Sequence, residues 1–141
     1  MISPVIVTSC KDDDDNKVEY SLDGTWVSEN TEFIISGASG KFSKIKSGLW
    51  VNALENGFIE QNASRIKNIT KNGENEWSCS FLAVCHILET TTVTSVFWSD
   101  DCNLFLSDDG ETLTIENLLQ VSCSDPKQGT KLATSTYTRK K

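Results

Sequence analysis

The stretch Trp77-Ser78-Cys79-Ser80-Phe81-Leu82-Ala83-Val84-Cys85-His86-Ile87-Leu88 alternates along its whole length. Trp77, Cys79, Phe81, Ala83, Cys85 and Ile87 fall on one face of an extended chain. Ser78, Ser80, Leu82, Val84, His86 and Leu88 fall on the other. Successive side chains of a strand point to opposite faces, so this spacing predicts a long strand, buried on the odd face and mixed on the even one. Downstream, Thr90-Thr91-Thr92 reads as a loop and Val93 to Trp98 as a β-rich run. Ser99-Asp100-Asp101 reads as a turn, Cys102 to Ser107 as another strand, and Asp109-Gly110 as a hairpin leading into Thr112 to Ile115.

Upstream the pattern repeats. Gly24 to Ser28 and Glu32 to Ser36 are short strands, and Gly37-Ala38-Ser39-Gly40 is a turn. After it, Phe42, Lys44 and Lys46 alternate with Ser43 and Ile45. Leu49 to Leu54, Gly57 to Glu60 and Arg65 to Thr70 are further strand candidates before the Asn72-Gly73 turn. Short strands joined by regular turn signals predict an all-β sandwich or barrel, and hairpins in chain order favour an antiparallel up-and-down meander closing into a barrel of about eight strands. Both prolines, Pro4 and Pro126, lie outside 22–123, which is the expected barrel domain. The stretch 116–123 fits a last strand or a helical turn. Residues 124–141 are polar and read as a frayed tail.

The chain has 141 residues, enough for one domain with a real core. Four Trp, two Tyr and six Phe argue for a packed interior. With 13 basic and 20 acidic side chains the net charge is −7, the opposite of a nucleic-acid footprint, and no apolar run is long enough to span a bilayer.

Leu22-Asp23-Gly24-Thr25-Trp26 opens the first strand and resembles the Gly-x-Trp signature of lipocalins and lipocalin-like domains. The resemblance implies an eight-stranded barrel in which Trp26 closes one end and Gly24 permits close chain approach. No Thr-Asp-Tyr-type second motif is present, and no arginine stands near the last strand expected at 112–123. The match is to the loose lipocalin-like class seen in bacterial lipoproteins.

Val7-Thr8-Ser9-Cys10, followed by Lys11 and the run Asp12 to Asp15, resembles a bacterial lipobox and the start of mature lipoproteins of the Bacteroidetes. A peptidase needs small side chains just before its cut, and Thr8 and Ser9 supply them. The resemblance implies lipidation of Cys10, with residues 1–9 as the remnant of a signal peptide. Residues 10–21 would form the lipidated cysteine and an acidic tether. Its flexible part, about eleven residues, spans roughly 18 Å. The anchor would place the protein at a bacterial outer membrane, periplasmic or surface-exposed. Nine residues without a basic one precede Cys10, so this reading requires a start upstream of Met1. If Met1 is the true start, the domain is cytoplasmic.

Setting Cys10 aside leaves Cys79, Cys85, Cys102 and Cys123. Cys79 and Cys85 lie about 20 Å apart on one strand and cannot bond to each other. Placing Leu88 opposite Val93 brings Cys79 to face Cys102, which favours a Cys79–Cys102 disulfide, with Cys85–Cys123 as a second pair. Four reduced thiols are the alternative in a cytosolic barrel. No zinc or cofactor site is expected, because there is no C-x-x-C and His86 points away from its neighbour Cys85. Asp100-Asp101 and Asp108-Asp109 read as solvated turn acids, Lys41, Lys44 and Lys46 as a mild basic stripe. Asn62-Ala-Ser64 and Asn68-Ile-Thr70 are glycosylation sequons that matter only in a eukaryotic secretory protein.

No paired carboxylates and no nucleophile–base constellation stand out, so the expected role is non-catalytic. The domain is read as a monomeric module holding a small apolar ligand in its barrel mouth, with Trp26, Trp50, Trp77 and Trp98 lining or closing it. A barrel without a cavity of about 300 Å³ would remove that reading. The alternative is a solidly packed surface module that binds protein or glycan.

Overall fold

The computed structural model describes residues 20–87, 90, 92–122 and 130–141. Eight strands follow in order: β1 (Gly24–Val27), β2 (Thr31–Ser36), β3 (Ser39–Ile45), β4 (Ser64–Gly73), β5 (Glu76–His86), β6 (Val93–Leu106), β7 (Thr112–Ser122) and β8 (Thr130–Arg139). Each pairs antiparallel with the next, and β8 returns to β1 to close the barrel. One helix, α1 (Leu49–Glu55), joins β3 to β4 and packs against β5 and β6.

The strand that decides the fold is β5. Trp77, Cys79, Phe81, Ala83 and Cys85 are all buried, as the odd-face reading requires, but β5 ends at His86 and Ile87, expected on the same face, is exposed. The main core gathers on that face, with Trp26, Phe33, Ile35, Ile66, Phe81, Leu104, Leu113 and Ile115 essentially inaccessible to water. A second cluster, including Phe42, Trp50, Ala53, Ile59, Leu82 and Val93, lies under α1. The even face of β5 contributes to it through Leu82 and Val84, which explains why that face is mixed.

Several sequence expectations change. The turn expected at Asn72-Gly73 lies at Glu74-Asn75, because β4 runs through Gly73. Ser99-Asp100-Asp101 is no turn, because β6 runs through it. The irregularity there is a bulge: Phe81 pairs with Ser99 but Cys79 with Cys102, so β6 carries one extra residue, and Asp101 sits at φ 63. An extra residue in one strand bends it without breaking the ladder. Of the two alternatives for 116–123, residues 116–122 take the strand, as the continuation of β7, with a register shift between Ile115 and Leu118. Leu49 to Leu54 is helical, not extended, burying Trp50 and Ala53 three residues apart on one helix face, and Gly57 to Glu60 forms no strand. The tail expected at 124–141 instead contains β8, which lies between β7 and β1, so the barrel extends to Arg139.

A closed meander sends alternate connections to opposite ends. The β1–β2 loop and α1 share one end. The β2–β3, β4–β5 and β6–β7 turns share the other, where β1 begins and β8 finishes.

Candidate functional site

The end where the chain enters is sealed. Trp26 is fully buried and its indole Nε1–H donates to the Leu22 carbonyl at 2.9 Å. The Arg139 guanidinium lies 4.4 Å from the Trp26 ring and donates to the carbonyls of Ser21, Asp23 and Gly110. An arginine therefore does stack on Trp26. It comes from β8, in the region that composition marks as tail. Gly24 sits at φ 139, a conformation that favours glycine, and a Cβ there would crowd Arg139 Nη1 at 2.9 Å.

At the opposite end a cavity of about 420 Å³ opens beside α1. Its wall combines Leu49, Trp50, Leu82 and Leu118 with Ser28, Asn30, Thr31, Ser135 and Thr136, so it is mixed, not apolar. At its base is Arg65. Lys41 pairs with Ser64 and Gly40 with Ile66, which leaves Arg65 as the bulged residue without a partner across the sheet. That bulge turns the Arg65 side chain into the seam between the two clusters.

Arg65 is 4% exposed. Its guanidinium carbon lies 4.0 Å from the Phe81 ring centre, 4.3 Å from Trp50 and 5.2 Å from Phe42. Nη1 donates to the Leu82 carbonyl and Nη2 to the Tyr137 hydroxyl at 3.1 Å. Nε is buried with no hydrogen-bond partner. Burial pushes the Arg65 pKa down, opposed by Tyr137, but a guanidinium stays charged in a protein. Cation–π contacts return about 0.5–2 kcal/mol each, against several kcal/mol for desolvating an ion. No carboxylate pairs with Arg65 among the described residues. The protein therefore holds a buried, incompletely compensated positive charge against a cavity.

Tyr137 is fixed by Phe33 at 4.8 Å and Phe81 at 6.2 Å, both edge-on. Neither Arg65 nor Tyr137 stood out in the sequence. Of the four tryptophans expected at a ligand, only Trp50 lines this cavity. Trp26 seals the other end. Trp77 lines an open hollow of about 370 Å³ at that other end, with Lys71 Nζ 4.7 Å from its ring. Trp98 packs against the second cluster, with Lys67 Nζ 4.1 Å from its ring. His86 lines the cavity.

Cys79 and Cys102 face each other as the register argument requires, but both are free, buried thiols, which corrects the expected disulfide between them. They share a thiol–thiol hydrogen bond, which favours losing a proton from Cys102 and raises the Cys79 pKa. Cys85 is disulfide-bonded. Cys10 and Cys123, its expected partner, lie outside the described residues. Alkylation of the folded protein should leave Cys79 and Cys102 unlabelled. Unfolding without reductant should label both while Cys85 stays protected. A linked Cys79–Cys102 peptide would overturn this assignment. Among the described residues no three His, Cys, Asp or Glu side chains gather as a metal site. Asp100 accepts from Ser80 at 2.7 Å and Asp109 from Ser107 at 2.6 Å.

These features define a closed eight-stranded antiparallel meander barrel, lipocalin-like in architecture, with Trp26 and Arg139 covering one end and a cavity beside α1 at the other. No protein-family model, curated protein or solved structure matches the chain.

Proposed function

We propose that this protein is a non-catalytic carrier, a lipoprotein of the bacterial cell envelope that binds a small ligand in the mouth of its barrel. The observation that carries the binding reading is the cavity of about 420 Å³ beside α1. It falls at the small end of the range of about 300–1,000 Å³ typical of ligand sites. Its mixed wall suits an amphiphile better than a wholly apolar molecule. The envelope reading rests on the lipobox-like Val7-Thr8-Ser9-Cys10 and the aspartates behind it, which lie outside the described residues. Lipidation of Cys10 anchors the domain to the outer membrane, since more than one acyl chain gives stable attachment. The Cys85 disulfide fits an oxidising compartment, and Cys123 is its proposed partner.

Intact-mass and native mass spectrometry on protein from an organism expressing the complete gene tests both parts. The expected result is a chain beginning at an acylated Cys10, with a small molecule retained by the folded barrel. A bare Cys10 thiol still preceded by residues 1–9 would overturn the anchor. A ligand-free protein that also takes up no amphiphile would leave the surface-module reading in place of the carrier.

A further inference from the structure

The cavity's chemistry narrows the ligand class, on the assumption that the mouth is a binding site. We propose that it binds a monocarboxylate amphiphile head first, with Arg65 as the counter-ion. A guanidinium presents five N–H donors in a planar fork that suits a carboxylate. In Arg65 the Leu82 carbonyl and the Tyr137 hydroxyl engage one N–H on each terminal nitrogen, while Nε–H has no acceptor. Nε itself is closed to the cavity, so a carboxylate oxygen takes the second N–H of Nη1 or Nη2. Tyr137 accepts from Arg65, and no described hydrogen bond uses its phenol proton, so it can donate to the same head group.

The surroundings favour this occupant over water alone. The low-dielectric position makes an added negative charge attract Arg65 far more strongly than it would at the surface. The rings of Phe81 and Trp50 hold the guanidinium in place, so little reorganisation is needed. Leu49, Leu82 and Leu118 supply apolar wall for a short tail. Glu29 stands on the rim but is solvent-exposed, where salt screens its repulsion.

The test is calorimetric titration of the purified 141-residue chain at neutral pH with decanoate, decanol and methyl decanoate, which share a tail and differ in charge. Decanoate should bind about tenfold or more tightly than either neutral analogue, as expected for hydrogen bonds to a charged group. Arg65→Met keeps the stem and removes the charge. It should bring decanoate down to the affinity of decanol without weakening decanol. A merely structural Arg65 would lower all three affinities together, which overturns the proposal. If Arg65→Met does not fold, the wild-type ratio and a loss of decanoate preference in Tyr137→Phe decide the question. Equal binding of the three ligands by the wild type overturns the counter-ion role and leaves the carrier reading standing. Binding of none overturns the carrier reading and this proposal with it.

Discussion

A chain ending at Asp125 should not fold. Removing 126–141 deletes β8 and leaves β7 and β1 as unpaired edges. It also removes Tyr137, buried against Phe33 and Phe81, and Arg139, which covers Trp26. Losing one buried aromatic alone costs about 3–5 kcal/mol, and a domain's whole stability is about 5–15 kcal/mol. Adding an opened ladder to that loss exceeds what a domain of this size holds in reserve. The truncated chain should show no cooperative urea transition and should bind a hydrophobic dye. A cooperative transition within about 1 kcal/mol of the full chain would mean that β8 is dispensable.

Trp26→Ala should cost about 3–5 kcal/mol in equilibrium urea denaturation. The indole is fully buried, and its removal leaves the Leu22 carbonyl without its donor and the Arg139 guanidinium without its ring. Trp26→Phe restores most of the volume but not the N–H, so its cost should be about 1–3 kcal/mol. A loss below about 1.5 kcal/mol in the alanine variant would show that this end of the barrel repacks freely. Neither substitution touches the cavity, so the ratio of decanoate to decanol affinity should be unchanged in any Trp26 variant that still folds.

The barrel was legible where one face is apolar. In 77–86 the alternation is unbroken. The register argument reached Cys79 opposite Cys102 from a wrong starting pair: Val93 pairs with His86, not Leu88, and two register shifts in β6 make up the two-residue offset. It failed where period two and period 3.6 fit equally well. Leu49-Trp50-Val51-Asn52-Ala53-Leu54 is too short and too apolar to choose, and packing over the barrel mouth decides for helix. It failed again at β8, where the polar tail composition hid a strand. The signal was nonetheless present in Thr134-Ser135-Thr136-Tyr137-Thr138, whose β-branched residues suit a strand and whose one aromatic is buried. The site was the least legible part. Arg65 and Arg139 are the chain's two arginines, and nothing local distinguishes them from surface cations. Arg65 turns inward because of a bulge between β3 and β4, a property of pairing across the sheet that no window of sequence displays.

Both ends of the folded chain leave from the plugged pole, near Tyr20 and Arg139, while the opening lies at the far pole under the helix. An immobilising handle at Lys141 therefore leaves the aperture unobstructed.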